Sequence, residues 1–362
     1  MRSDFKTPKT SKMTVFFTIS SRFPSLFFSA VFFLFAAVPS IAQDGGQAHG
    51  SHADEQAEQK DFDAGKVIIH HVLDDHVWHF WDGHGGTLYL PVIVYSDERG
   101  LDVFSSARFY NEDHAVVPYN GYTLEHNHIY LNGKAVLDVS ITKNVAMLLI
   151  NAAVLLMVFI SVARSYNRNP GKAPRGLQSF IEPIIFFVRD EVVKPNIGHG
   201  YEKYLPYLLT LFFFILFGNL LGLLPGAANM TGNIAVTMTL AVLTFIITNV
   251  SGNASYWKHI FWTPGVPWPL RIVILPVEIL GVLTKPFSLM IRLFVAITAG
   301  HIVLLSLIAL TFIFQSYFVG VASTIVVLFI SLIEILVAAI QAYVFTLFTS
   351  LYIGMATAED HH

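Results

Sequence analysis

Cysteine is absent from the chain, which excludes disulfides, thiolate metal sites and cysteine nucleophiles. Charge is scarce as well. Only 13% of the 362 residues are Asp, Glu, Lys or Arg, against 54% hydrophobic, a balance foreign to an ordinary soluble domain. There is no internal repeat, no Gly-rich phosphate loop and no His-Glu-x-x-His pattern, so nothing points to a solenoid, a nucleotide cradle or a zinc hydrolase. No cofactor, metal or nucleic-acid partner is expected. What the chain does have is 31 Phe and several apolar runs of 17 residues or more, enough to cross a bilayer as helices.

Charge is rarest at the end. From Pro286 to Ala358 only Arg292, His301 and Glu334 can carry one. A charge at the bilayer centre costs roughly 3 kcal/mol on insertion scales, so such residues face a bundle interior or a wet cavity. Arg, His and Glu together read as an ion pathway, and the rest of the chain serves to place this segment in the membrane.

In order, residues 1–42 have the form of a secretory signal. Lys6, Lys9, Lys12 and Arg22 precede the apolar run Leu26–Pro39, and Ser40-Ile41-Ala42 offers small residues for cleavage. The other reading of this run is a retained membrane helix. Residues 43–66 are polar and read as a flexible linker. Residues 67–139 alternate short β-prone runs, Thr87–Tyr95, Val103–Tyr110 and His128–Leu131, with turn signals at Asp82-Gly83, Gly85-Gly86, Asn120-Gly121 and Asn132-Gly133. A small β-rich domain on the periplasmic side is expected. Ten of the fifteen histidines fall between His49 and His128. A solvated polar surface accounts for them better than a metal site.

Residues 140–362 are the expected transmembrane domain. Val145–Val162 is a span followed by Arg164, Arg168, Lys172 and Arg175, and the positive-inside rule makes that loop cytoplasmic. Leu177–Tyr201 carries Glu182, Arg189, Asp190, Glu191 and Lys194 and reads as an amphipathic interfacial helix. Tyr204–Leu224 and Ile234–Val250 cross again. A loop with Lys258, Arg271, Trp257, Trp262 and Trp268 then lies at the cytoplasmic headgroups. The remaining apolar length exceeds what two upright spans need, so a long, tilted helical hairpin is expected. The fold class is an all-α polytopic membrane protein of about five transmembrane helices, with the β-rich domain outside and the C-terminus in the cytoplasm.

Along the hairpin, His301 lies nine residues after Arg292, about 13 Å further out at the helical rise. Glu334 lies seven residues before Gln341, about 10 Å further out. If Arg292 and Gln341 share a level, His301 and Glu334 meet nearer the outer face. Glu278 returns to the same side as Arg292 on the cytoplasmic half. His exchanges protons near neutral pH, and a carboxyl can be poised by its surroundings to do the same. Arg keeps its proton and is a stationary charge. Each has a bland alternative: an Arg292–Glu334 structural ion pair, an interhelical hydrogen bond for His301, and a snorkelling role for Glu278 and Lys285.

Leu283-Thr-Lys-Pro-Phe-Ser-Leu-Met-Ile-Arg-Leu-Phe294 with Ala299-Gly300, Gln341-Ala-Tyr-Val-Phe345, the ending Tyr352–His361 and Phe217-Gly-Asn-Leu-Leu-Gly-Leu-Leu-Pro225 together resemble subunit a of the bacterial F-type ATP synthase. The resemblance covers about residues 140–361. It implies a stator subunit that holds two proton half-channels against a rotating ring of c subunits, with the b subunits of the peripheral stalk, the rest of the synthase and the lipid bilayer as partners. By resemblance, Arg292 is the charge that separates the half-channels and Gln341 packs beside it. His301 and Glu334 form the outer relay, and Glu278 serves the cytoplasmic half-channel. The chain departs from the best-known bacterial pattern by exchanging acid and imidazole at positions 301 and 334, and by Ala296 where many members have Asn. The residues alone would equally admit a stand-alone proton- or ion-coupled transporter, although neither inverted repeats nor discontinuous helices are visible. A membrane-anchored periplasmic binding module would leave the intramembrane charges unexplained.

Overall fold

The computed structural model describes residues 74–79, 86–111, 116–125, 127–168, 173–224, 226–262, 267–314 and 316–358. The expected signal, the linker, the Asp82-Gly83 turn and His49, His52, His70, His71, His84, His114 and His126 lie outside them.

Turn chemistry organises the amino-terminal part. β1 (Val77–His79) pairs antiparallel with β2 (Thr87–Tyr89). β3 (Pro91–Ser96) lies between β4 (Gly100–Ser105) and β8 (Leu137–Asp138). β5 (Tyr122–Glu125), β6 (His128–Leu131) and β7 (Lys134–Ala135) form a third sheet. Asn120-Gly121 and Asn132-Gly133 hold φ of 50° and 83°, and 51° and 78°, the paired positive values a tight hairpin turn needs. The run Val103–Tyr110 is strand only to Ser105. There the Ser105 hydroxyl accepts from the Ala107 N–H and opens a 3₁₀ turn, Ser106–Phe109. Val92, Val94, Phe109, Tyr122, Ile129 and Leu131 make a small core of their own.

The expected solvated histidine surface fails at His76. That residue is 2% exposed, with Nε2 2.8 Å from the Asp138 carboxylate. The cause is long-range: the strand-1 segment is stitched to the start of the first membrane helix. The Asp74 carboxylate accepts from the Thr142 hydroxyl at 2.8 Å and the Asn144 N–H at 3.1 Å, while the Lys143 N–H bonds the Asp75 carbonyl. These bonds satisfy donors that a helix start leaves orphaned, from some seventy positions away.

The helices are α1 (Lys143–Arg168), α2 (Leu177–Phe187), α3 (Lys194–Ile197), α4 (Tyr201–Gly222), α5 (Ile234–Val250), α6 (Ala254–Phe261), α7 (Trp268–Phe314) and α8 (Tyr317–Thr357). Among the described residues four are long and apolar enough to cross a membrane, and a fifth if α5 and α6, bent by 103°, count as one. Leu177–Tyr201 is not one helix. α2 runs into a π turn at Val188–Val193 whose valines are buried, and Gly198 and Gly200, at φ 70° and 82°, end it before α4. The expected headgroup loop is also partly helical, since α7 begins at Trp268 and carries Pro276 and Pro286 inside it. α4 is central: Leu205, Leu208, Leu211, Phe213, Phe214 and Ile215 are at most 1% exposed. The Asn253 N–H and carboxamide bond the carbonyls of Ala356 and Thr357, which fixes the far end of α8.

Candidate functional site

α7 and α8 fold back on each other through a two-residue link, and their register is fixed at two levels. The hydroxyls of Thr311 and Ser323 are 2.6 Å apart. Further down, Gly300 faces Glu334 so closely that a Cβ on the glycine would lie 2.5 Å from Oε1. Carried along both arms at the helical rise, that register brings Arg292 to the level of Ala342, the sequence neighbour of Gln341, and His301 to the level of Ile333, the sequence neighbour of Glu334. His301, Gln341 and Glu278 are each half-buried.

Glu334 is 7% exposed, and both its carboxyl oxygens are buried without a hydrogen-bond partner among the described residues. Burying a carboxyl unsatisfied costs several kcal/mol if it is ionised, on the order of the full desolvation penalty. Such an orphan calls for a functional explanation. The missing side chain at Gly300 lets the carboxyl pack directly against α7.

Arg292 stands about 12 Å away along α7, eight residues before Gly300 at the helical rise. Its guanidinium carbon lies 4.4 Å from the centre of the Phe348 ring, within cation–π range. Its Nη1 is buried with no hydrogen-bond acceptor among the described residues. The two charged groups therefore form no ion pair, and the structural alternative considered for Arg292 falls. Phe348 lies seven residues, two turns, past Gln341, so one face of α8 carries the amide and the ring.

On the other half, Lys285 follows Glu278 by two turns, and its Nζ sits 5.3 Å over the Tyr352 ring. A shallow cleft opens there between Thr244, Thr248, Asn249, Tyr256, Lys285 and Tyr352.

Polar residues in α4 and the turn after it were not singled out by sequence. Asn219, 1% exposed, donates to the Ala338 carbonyl at 3.4 Å, one turn from Glu334. The single proton of the Thr231 hydroxyl is shared between Asn219 Oδ1 at 2.9 Å and Asn229 Oδ1 at 3.0 Å. Thr298 on α7 keeps a buried hydroxyl oxygen with no partner among the described residues. The available signal was an amide inside an otherwise apolar helix.

A family profile described as ATP synthase A chain matches residues 145–354, and one described only as a domain of unknown function (DUF8433) matches residues 67–147. The chain is 42% identical over 317 residues to "ATP synthase subunit a 2" of Chlorobium luteolum, covering 86% of this chain and 80% of that one. With "ATP synthase subunit a 2" of Chlorobaculum tepidum it shares 42% identity over 334 residues, 90% and 82% of the two chains. With "ATP synthase subunit a" of Chloroherpeton thalassium the identity is 46% over 231 residues, 62% and 69%.

Proposed function

The chain belongs to the ATP synthase A chain family, and on that premise we propose that its helical hairpin forms two offset proton half-channels separated by Arg292. It is an integral membrane subunit of the F-type ATP synthase stator, a proton-translocating part of a complex rather than a stand-alone catalyst. The stand-alone transporter reading falls away with that assignment.

Protons enter from the outer face, pass His301 and Glu334 and protonate a carboxylate on the ring of c subunits that slides over α7 and α8. After nearly a full turn the ring carboxyl reaches Arg292 from the other side, loses its proton toward Glu278 and the cleft by Lys285, and passes the arginine as an anion. Arg292 accepts and donates no proton in this cycle. Its guanidinium stays charged, stabilises the passing carboxylate and closes the direct route between the two paths. In this reading the five spans leave the β-rich segment, residues 67–139, in the periplasm and the C-terminus in the cytoplasm, after a cleaved signal at 1–42 and a linker at 43–66. The b subunits of the peripheral stalk hold the whole against rotation.

The observation that carries the reading is Glu334. It is a buried carboxyl without a hydrogen-bond partner among the described residues, packed against Gly300 next to His301, with the fixed cation on the same pair of helices. The test is ATP-driven proton pumping by membrane vesicles containing R292A or R292K complexes. Both are expected to pump at background level, the lysine because a compact ammonium cannot replace a planar fixed cation. Pumping by R292A would sink the proposal.

A further inference from the structure

Trp78 is the place where the β-rich segment meets the membrane core. It is 7% exposed, and with Leu90 it belongs to the buried cluster of the helices rather than to the small core around Phe109. Its indole N–H donates to the Gly226 carbonyl at 2.7 Å. Gly226, at φ 77°, opens the turn between α4 and α5, a conformation that glycine adopts without penalty.

That turn leads to Glu334 in short steps. The Asn229 carboxamide oxygen accepts from the Gly232 N–H at 3.2 Å and from the Thr231 hydroxyl, which Asn219 also engages. Asn219 in turn donates to Ala338 on α8, four residues past Glu334. Gly232 packs the same turn against α7: a Cβ there would sit 3.5 Å from the Thr298 hydroxyl oxygen, two residues before Gly300. The turn thus packs on α7 directly and reaches α8 through Asn219. The indole holds its open end.

We propose that Trp78 is a positioning residue for outer-side proton entry: it fixes the turn 226–232, which sets the spacing of α7 and α8 around Glu334. The β-rich segment then tunes the outer path instead of being a passive appendage. The hydrogen bonds through Asn229, Thr231 and Asn219 hold that spacing only while their members stay within reach of one another. Displacements near 1 Å lower the rate of a positioned step by up to about 10²-fold. The tryptophan suits this task because it supplies a large apolar body for the helix core and one N–H for the turn.

This rests on the outer-relay reading of Glu334, and the experiment separates the two. Vesicles containing the whole synthase with W78A, W78F or E334Q are driven by an imposed proton gradient. ATP synthesis per assembled complex is followed while pH is varied on one face at a time. W78A is expected to lower synthesis about 3- to 10-fold and to move the dependence on outer-face pH, leaving the cytoplasmic-face dependence as in the parent. W78F, which keeps the buried ring and loses the donor, falls between. A wild-type outer-face profile in W78A overturns the inference, and so does one in W78F should W78A fail to assemble. E334Q that still synthesises ATP overturns the relay reading itself. E334Q inactive with both Trp78 variants unaltered overturns only the role given to Trp78.

Discussion

The helix α4 and the hairpin α7–α8 are all apolar enough to cross a membrane and bury that surface in opposite ways. In α4, 67% of the most apolar stretch is buried within the chain, whereas in each arm of the hairpin the figure is 17%. Residues such as Leu328, Phe329, Leu332 and Leu336 are 59–67% exposed. α4 spends its surface on its own neighbours, Phe213 stacking edge-on against Phe159 and Phe212. The hairpin keeps one side bare and places its charges between the bare side and the core. A helix that is apolar all round is either buried or in lipid; α4 is of the first kind and the hairpin of the second. Scaffold and working surface are separated by which helix is wrapped.

Substitutions can break that division. The largest effect is expected at Gly300, on the working side. G300V puts a branched side chain where even a Cβ meets Glu334 Oε1 at 2.5 Å. Coupled proton flux should fall on the order of 10²-fold or more, as for loss of a proton-transfer group, with G300A losing less. Flux per assembled complex measures it, and a normal rate in G300V would refute the role given to the Gly300–Glu334 contact.

On the scaffold side the reverse pattern is expected. F213A removes a fully buried ring and should cost about 3–5 kcal/mol of stability. The signature is a lower temperature of dissociation in detergent, with flux per intact complex close to the parent. Loss of flux in intact F213A complexes would erase the distinction.

The smallest effect belongs to the β-rich segment. For His76, burial pulls the imidazole down, but hydrogen bonding and charge from Asp138, with Asp75 and Asn127 adding to it, raise it above 6.5. For Asp138, burial pushes up, yet His76 and Ser140 hold the carboxyl below 3.8. The imidazole's contribution is present below 6.5 and fades as pH rises through its folded value. The carboxylate's contribution is present above 3.8 and fades as pH falls through its folded value. The pair therefore stabilises most between about pH 3.8 and 6.5. Asp74 opposes it at neutral pH, because burial raises its carboxyl despite the bonds from Thr142, Asn144 and Asp75. Protease resistance of the segment in H76Q should trail the parent most inside that window and converge with it above. A gap that widens with alkalinity would reverse the sign.

Sequence was a good guide where the signal repeats locally. Apolar runs located α4 and α5 to within a few residues, because a helix is written in adjacent positions, whereas α1 runs on past Val162 and α7 begins at Trp268, inside the expected headgroup loop. The Asn-Gly pairs located two turns, because φ > 0 is a property of single residues. Reading was poorer where remote groups decide. His76 looked like surface until Asp138 and the start of α1 closed over it. Leu177–Tyr201 looked like one helix until the π turn tucked its valines inward.

What the sequence determined by itself is the spacing of the charges along each arm, since the helical rise converts residue separation into distance without reference to any neighbour. That sufficed to order Glu278, Arg292 and His301 along one arm, and Glu334 and Gln341 along the other. Only the tertiary structure decided which surfaces meet at each depth. Glu334 lies against Gly300 with no hydrogen-bond partner among the described residues, Arg292 rests on Phe348 and not on the carboxylate, and Trp78 bonds the turn after α4. Those choices depend on how side-chain volumes from distant segments fill a common space, which no local pattern encodes.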